Sequence, residues 1–289
     1  MSFDLVANVA ISGILTGLVY GLMALGLSVI FGVVRVVNFA HGQMMSVAMY
    51  AAALLFARFE LDPFLAVAPV AVAFFVLGYA LQAGLINRFI TRPEHSQFLL
   101  LVAVGLILVN GLLMAFGPDA RSVQVDYQLE SFEFGDILID KARAYAAGLA
   151  IVTALLLGGF FRFTWTGVAI RACADNYFAA RVVGLHVRRL YALTFGLGAV
   201  CVAVAGCALT LLVDVTPSLG PHYTLLAFVI VIVGGLGSMI GALLGGVLIG
   251  VSEAVGGLLI SPSAKSMLSF GLLIVVLLLR PQGLFGRRS

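Results

Sequence analysis

Long apolar runs, separated by short polar stretches, occupy most of the chain. Most of these runs have the length of a helix that crosses a bilayer. The predicted spans are Leu5–Phe31, Ala40–Ala57, Phe64–Ile86, Phe98–Phe116, Tyr145–Phe161, Tyr191–Val213 and Met267–Leu279. The pattern predicts an all-α integral membrane protein, a polytopic helical bundle of about eight spans that forms one transmembrane domain over residues 1–289.

Two regions depart from this alternation of spans and loops. The glycine-rich stretch 234–238 interrupts the apolar run 223–260, which predicts either two short spans that meet at the glycines or a re-entrant hairpin. Pro217 and Pro221 predict a short outer turn over Asp214–His222. The bundle is therefore expected to contain broken or re-entrant helices.

Composition supports a membrane protein and narrows its class. Hydrophobic residues make up 62% of the chain and charged residues only 10%, whereas a soluble domain carries about 25% charged residues. The net charge of +3 is too small to indicate a nucleic-acid partner. The first apolar run is much longer than that of a secretory signal, so we expect it to remain as a span. Cys173, Cys201 and Cys207 have no metal or disulfide spacing and are interpreted as small buried residues.

The charges are distributed unevenly between the two sides of the predicted bundle. Residues 117–143 contain six acids, and most of the arginines fall on the opposite side. These arginines are Arg35, Arg88, Arg92, those of segment 162–189, Arg280, Arg287 and Arg288. Because basic residues stay on the cytoplasmic side, this predicts an external N-terminus and a cytoplasmic C-terminus.

The acidic segment 117–143 has the alternation of strands. Ser122–Tyr127 alternates polar and apolar residues, and Phe132–Ile139 partly repeats this around Gly135. The two stretches predict a small external β-hairpin. Its acids do not have calcium-loop spacing, so we expect a solvated face and no metal site.

The basic segment 162–189 has the signals of two short helices. Thr166 or Gly167 can begin a helix that continues to Cys173, and Asp175 can N-cap a second one. Gly184 lies where a C-cap glycine is expected. The residues allow two interpretations: a loop that only fixes topology, or a cytoplasmic surface on which another protein docks.

A second polar interruption lies between the first two apolar runs. Asn38, His41 and Gln43 follow Arg35 there, and Gly32 and Gly42 flank the segment. One interpretation is a helix break that lines a transport path, with Asn38 and His41 facing a water-filled cavity. The other is a short cytoplasmic turn. The candidate path residues are Asn38, Phe39, His41, Gly42 and Gln43.

Isolated small and polar residues within the runs have structural interpretations. Glycines recur every four residues in two stripes, where helices can approach closely. These stripes are Gly13, Gly17 and Gly21, and Gly237, Gly241 and Gly245. Gln82 and Asn110 are expected to bond neighbouring helices, and Glu253 is expected at the rim of a path.

Several motifs together resemble the LivH-type inner-membrane permease of bacterial branched-chain amino acid ABC importers, a group that includes urea and short-amide permeases. The resemblance extends over nearly the whole chain. It rests on Tyr20–Gly21 with Ala24, Asn38–Gly42, Gly167–Gly184, the glycine motif 234–238 with Gly241, and the RPQGLFG tail from Arg280 to Gly286. In such permeases an Ala-Ala pair followed by a glycine marks the helix that docks on the ATPase. The corresponding residues are Arg171, Asn176, Ala179, Ala180 and Gly184.

The resemblance implies a bacterial inner-membrane permease with several partners: a second homologous permease, two ATP-binding cassette subunits and a periplasmic binding protein. The only lysines, Lys141 and Lys265, do not follow a glycine, so the chain has no P-loop. We therefore expect no enzyme activity and no cofactor in this chain, with ATP and magnesium on the partner subunits.

The alternatives to this function are a urea or amide permease, and a secondary carrier or channel. A membrane enzyme is a third option that no constellation of residues favours.

Overall fold

The computed structural model describes residues 3–90, 92–135, 137–261 and 265–286. The predictions for Asp136, Arg287 and Arg288 lie outside the described residues. The described chain forms eleven α-helices and one two-stranded sheet. The helices are α1 (Phe3–Val34), α2 (His41–Phe59), α3 (Pro63–Gly84), α4 (Glu94–Phe116), α5 (Lys141–Phe163), α6 (Trp165–Asp175), α7 (Tyr177–Val182), α8 (Val187–Leu209), α9 (Leu219–Gly234), α10 (Met239–Leu259) and α11 (Lys265–Leu279). Among the described residues, seven helices are long and apolar enough to cross a membrane, which confirms the predicted polytopic bundle.

The bundle has two ends, which we name by their residues. The hairpin end carries β1 (Ser131–Phe134) and β2 (Ile137–Asp140), which pair antiparallel. The basic end carries Arg35, the short helices α6 and α7, and the start of α8. Helix α1 runs from the hairpin end, where Asn8 Oδ1 accepts a hydrogen bond from the Leu138 N–H at 2.9 Å, to the basic end.

The sheet is shorter than the alternation predicted. Both strands lie within residues 131–140, with Ser131 opposite Asp140. Ser122–Tyr127 does not join them, because Arg121 pairs instead with Val215 and Asp126–Gln128 forms a 3₁₀ turn. The two alternating stretches therefore do not form one hairpin.

Glycines bring α1 and α10 into close antiparallel contact. A Cβ atom on Gly17 would lie 2.7 Å from the Gly246 carbonyl oxygen, and one on Gly13 would lie 2.9 Å from the Gly250 oxygen. Gly241 and Gly245 instead face α9, and Gly237 faces Gly32. Gly246 and Gly250 were not singled out from the sequence, although they supply the other half of the α1 contact.

Helix α8 lies in the middle of the bundle. It packs against α1, α2, α3 and α5. Gly78 of α3 and Gly26 of α1 both approach it closely, at Ala199 and at the Gly198 carbonyl. Small residues at both contacts allow the backbones to approach, so α8 links several membrane helices to the short helices that precede it.

The first four helices and the last four make corresponding packing contacts. Corresponding helices of the two sets run in opposite directions through the bundle. The contact of α1 with α10 corresponds to the contact of α8 with α3. The contact of α2 with α4 corresponds in the same way to the contact of α9 with α11. Helices α2 and α9 pair with each other. Such inverted repeats are common in transporters and place their sites where the repeats meet.

The second repeat differs from the outer turn that the sequence predicted. Helix α8 ends at Leu209, and α9 begins at Leu219, inside the predicted outer turn 214–222. Val215 in the connection is fully buried, and Pro221 fits the first turn of α9 because that turn needs no N–H donor there. Helices α9 and α10 form an antiparallel pair joined at Gly235–Ser238, where Gly235 and Gly237 have φ values of 103° and 79°.

Candidate functional site

The segment between α1 and α2 enters the bundle. Arg35 ends α1 in a left-handed conformation (φ 57°), and its N–H donates to the Phe31 carbonyl at 3.0 Å. Arg35 is exposed, whereas Val36 is only 3% exposed and Asn38 is completely buried. The segment is therefore a buried helix break and not a solvent-exposed turn.

His41 fixes the depth at which α2 begins. Its Nε2 lies 2.9 Å from the carbonyl oxygen of Met23, which is about 16 Å from the end of α1 at 1.5 Å per residue. Because a carbonyl can only accept, Nε2 carries the hydrogen. His41 Nδ1 is buried and has no hydrogen-bond partner among the described residues. Helix α2 thus begins deep inside the bundle with a neutral imidazole.

Asn38 shapes the turn that precedes α2. Its Oδ1 accepts a hydrogen bond from the Ala40 N–H at 3.1 Å, and its Nδ2 lies 3.7 Å from the Met44 sulfur. Asn38 and His41 have no accessible surface. The expectation that they face a water-filled cavity is therefore wrong in this conformation, because protein atoms surround both side chains.

The first turns of α2 and α9 meet beside this break. The Gly42 N–H donates to Thr224 Oγ1 at 3.0 Å, and Thr224 Oγ1 also lies 3.0 Å from Gln43 Oε1. A Cβ atom on Gly42 would lie 2.1 Å from the Gly220 carbonyl oxygen. The glycine is thus needed for the close approach of α9.

The five candidate path residues lie close together, but Phe39 makes different contacts from the other four. Asn38, His41, Gly42 and Gln43 form the polar start of α2. Phe39 instead contacts Phe98 of α4 and Phe228 of α9, with ring centroids 4.5 and 4.9 Å away.

The partners of this segment on α9 were not predicted from the sequence. A signal for them exists: Val215 and Gly220 have the same spacing as Val37 and Gly42, and each glycine is the second residue of its helix. A comparison of the two halves by this spacing pairs Gly220 with Gly42.

A cavity of about 410 Å³ opens near the hairpin end between α1, α8 and α10. Tyr20, Arg143, Glu253 and Lys265 contribute to its wall. Glu253 accepts a hydrogen bond from Ser269 Oγ at 2.6 Å. Tyr20 packs on Tyr223 of α9, with ring centroids 6.2 Å apart.

The basic segment forms the two short helices α6 and α7, each capped by a side chain. Thr164 Oγ1 accepts from the Gly167 N–H at 3.0 Å, so α6 begins before the predicted Thr166. Asn176 Oδ1 accepts from the Ala179 N–H at 2.9 Å. Asp175 is the last residue of α6, so its prediction as the N-cap of the second helix is wrong: the neighbouring Asn176 fills that position.

The second short helix ends in a Schellman motif. Gly184 has φ +88°, its N–H donates to the Arg181 carbonyl, and the Leu185 N–H donates to the Ala180 carbonyl at 3.0 Å. This conformation favours glycine. The motif fixes the direction in which the chain enters α8.

The surface of α7 differs from the set of residues that the resemblance implied. Arg171, Asn176, Ala179 and Gly184 are exposed, whereas Ala180 packs inward. Exposed apolar side chains on this surface were not part of that set. They are Phe178, Val182 and Val183, which are 75%, 71% and 74% exposed.

The isolated polar residues have contacts other than those expected. Gln82 Nε2 donates to Asn87 Oδ1 in the turn after its own helix, and Asn110 Nδ2 donates to the Leu106 carbonyl of its own helix. The prediction that they bond neighbouring helices is wrong. All three cysteines are buried, and burial raises the pKa of the Cys173 thiol.

The RPQGLFG tail has a structural role at the basic end. The N–H groups of Leu284 and Phe285 donate to the carbonyls of Val233 and Gly234 at 2.8 and 3.0 Å. The tail therefore satisfies carbonyls at the end of α9 that have no partner within the helix.

Inverted halves, two helices that begin deep in the bundle and a buried polar break define a multi-pass membrane transport protein. Residues 9–277 match the family described as branched-chain amino acid transport system, permease component, and the chain belongs to this family. LivH of Escherichia coli K12, a high-affinity branched-chain amino acid transport system permease, is 30% identical over 291 residues, with 96% of this chain and 94% of that protein covered. BraD of Pseudomonas aeruginosa, with the same description, is 31% identical over 295 residues at the same coverage.

A solved structure shares the fold. PsaBC from Streptococcus pneumoniae, in complex with Fab, matches 99% of this chain with a TM-score of 0.51 and 15% identity, and 95% of that chain is covered. At this identity the likeness concerns the fold alone.

Proposed function

We propose that this chain is the permease subunit of an ATP-driven ABC importer for branched-chain or other hydrophobic amino acids. It forms half of the translocation path, and a second homologous permease supplies the other half. Two ATP-binding cassette subunits hold ATP and magnesium, and a periplasmic protein delivers the substrate. Membership of the permease family supports this proposal, and the names of LivH and BraD support the substrate class.

The observation that carries the proposal is the surface of α7. Phe178, Val182 and Val183 expose apolar side chains at the basic end, next to exposed arginines. Apolar side chains grouped in this way are typical of a protein interface. Caps at both ends of α7 hold the surface in one orientation, as a docking helix requires.

The connections of α7 provide a route from this surface to the path. Helix α7 leads through the Schellman motif into α8, and α8 packs on α1 and α2. Gly206 of α8 lies against Met45 and Ala48, one turn beyond the buried break. A displacement of α7 by the ATPase would therefore reach α2 as a rigid-body motion.

The start of α2 provides the path in this proposal. His41 Nδ1, Ser46 Oγ and the Tyr50 hydroxyl are buried without a hydrogen-bond partner among the described residues. Unpaired buried polar atoms are costly, and an open conformation would give them partners. Such a polar but uncharged stripe suits a zwitterionic substrate with an apolar side chain.

The proposed orientation in the bacterial inner membrane places the hairpin end outside and the basic end in the cytoplasm. Charge asymmetry supports it. An impermeant thiol reagent tests it, since the three native cysteines are buried. Leu129→Cys should be labelled on intact cells and Arg181→Cys only after lysis; the reverse pattern would invert the orientation.

Affinity purification and uptake test the function itself. The tagged chain should purify with an ATPase, and the reconstituted complex should accumulate leucine only with ATP. Phe178→Ala should weaken ATPase retention, whereas Leu129→Ala, an exposed apolar residue at the hairpin end, should not. Leucine uptake by the chain without nucleotide would instead support a secondary carrier. ATP-driven uptake of urea or an amide, but not of leucine, would change the substrate class.

A further inference from the structure

A second cavity, of about 520 Å³, lies at the basic end between the end of α3 and the start of α8. Three arginines and no carboxylate line it. The polar lining consists of Tyr79, Asn87, Arg88, Arg188 and Arg189. The described residues provide no ion pair for any of the three arginines. The cavity is therefore a concentration of unpaired positive charge at a membrane boundary.

Hydrogen bonds hold the wall of this cavity in place. Gln82 Nε2 donates to Asn87 Oδ1 at 3.1 Å, and Asn87 Nδ2 donates to the Arg188 carbonyl at 3.2 Å. These contacts join the end of α3 to the first turn of α8. The N-terminal end of α8 adds partial positive charge through the helix dipole.

The lining is continuous with an exposed apolar face of α3. Val72, Val76, Tyr79 and Ala83 have the spacing of one helical face of α3. Val72 and Val76 are 65% and 59% exposed. An acyl chain can therefore lie along the valines while its headgroup reaches the arginines.

We propose that this cavity binds the phosphate group of an anionic phospholipid. Guanidinium groups bind phosphate oxygens through paired, charge-assisted hydrogen bonds, and basic pockets between membrane helices recognise such headgroups. The adjoining apolar stripe favours a lipid over free phosphate. The bound lipid links α3 to the start of α8 and stabilises that junction. This site is independent of the substrate and of the proposed ATPase.

Native mass spectrometry and thermal unfolding test the site on the assembly that purifies from membranes. Phosphatidylglycerol should bind and raise the melting temperature, whereas phosphatidylcholine and millimolar inorganic phosphate should not. Arg188→Gln should weaken phosphatidylglycerol binding roughly fivefold, the contribution of one basic residue near a membrane surface. Arg58→Gln, an exposed arginine at the other end of the bundle, is the matched control and should bind as wild type does.

Each other result overturns the proposal. If phosphatidylcholine binds and raises the melting temperature as much as phosphatidylglycerol does, recognition of the anionic headgroup is excluded. If inorganic phosphate raises the melting temperature as much, the ligand is a free anion. If Arg188→Gln and Arg58→Gln weaken phosphatidylglycerol binding equally, only the overall charge of the protein determines that binding. Absence of lipid, together with crosslinks from Arg188 to another subunit, would identify a protein interface.

Discussion

The backbone N–H of Gly42 donates a hydrogen bond to Oγ1 of Thr224 at 3.0 Å, although 182 residues separate them in the chain. This bond joins the first turn of α2 to the second turn of α9, and the two helices lead to opposite ends of the bundle. The two inverted halves therefore share a polar contact inside the protein, next to the buried break that we assign to the path.

Thr224→Val tests this contact. Valine has a similar shape but no hydroxyl, so the buried Gly42 N–H loses its acceptor at a cost of about 1–3 kcal/mol. We expect a lower melting temperature of the purified complex and slower uptake. Thr224→Ser keeps the hydroxyl and should behave nearly as wild type does. A valine variant with wild-type stability and uptake would show that the bond has no role.

Gly17→Ala tests the close contact between α1 and α10. The new Cβ would lie 2.7 Å from the Gly246 carbonyl oxygen and 2.8 Å from the Val247 Cα. Backbone atoms cannot move aside cheaply, so we expect a destabilisation of about 1–3 kcal/mol. Gly148→Ala on α5 is the control, because no atom lies within 4 Å of its new Cβ. Fluorescence-detected size exclusion after heating measures both variants; equal melting temperatures would contradict the packing argument.

Gly184→Val tests the direction set by the Schellman motif. The position has φ +88° and open space around it, so valine is strained by its conformation and not by a clash. We expect assembly with the ATPase but ATP hydrolysis that is no longer coupled to uptake. Gly184→Asn should retain coupling, because asparagine tolerates left-handed conformations. If the valine variant keeps the wild-type ratio of uptake to hydrolysis, α7 does not transmit the motion.

Tyr127→Phe tests a contact at the hairpin end. The Tyr127 hydroxyl lies 2.9 Å from Asp62 Oδ2, and burial, followed by this hydrogen bond, raises the pKa of Tyr127. A raised phenol pKa means that the stabilisation is complete below about pH 10 and is lost only at higher pH. The free energy of unfolding of the variant should be about 1 kcal/mol lower than that of the wild type. This loss should be the same at pH 7 and at pH 9.

Tyr145→Phe is the matched control for this change. Tyr145 packs against Tyr127 with ring centroids 5.9 Å apart, yet its hydroxyl forms no hydrogen bond in the described part of the chain. Thermal unfolding at the two pH values measures both variants. A loss for Tyr127→Phe that differs between pH 7 and pH 9 would contradict the sign of the pKa argument.

The sequence predicted the spans well because hydrophobic length is a local property. It also predicted the helix-ending glycine at position 184, since such residues act on their own neighbours, but it left the segment before α2 open between a helix break and a turn. The start of α9 was not predictable in this way. Pro221 is as compatible with an outer turn as with the first turn of a helix, and only the buried contacts of Val215 and Thr224 decide between them.

Hydrogen-bond partners that the sequence does not reveal explain the remaining errors. Asn38 and His41 are polar, so a water-filled cavity was a reasonable expectation. Instead, the Met23 carbonyl and the Ala40 N–H serve as their partners. Asp175 and Asn176 are both good N-cap residues, and their order along the chain could not show which of them would cap α7.

The most direct test of the assignment of residues 36–42 to the path is ATP-driven leucine uptake by Asn38→Leu, normalised to assembled complex. Asn110→Leu makes the same chemical change on an exposed face of α4, where the side chain bonds only its own helix. We expect Asn38→Leu to slow uptake about tenfold, the equivalent of one buried hydrogen bond, and Asn110→Leu to leave it unchanged. Uptake by Asn38→Leu at the rate of Asn110→Leu and wild type would contradict the assignment.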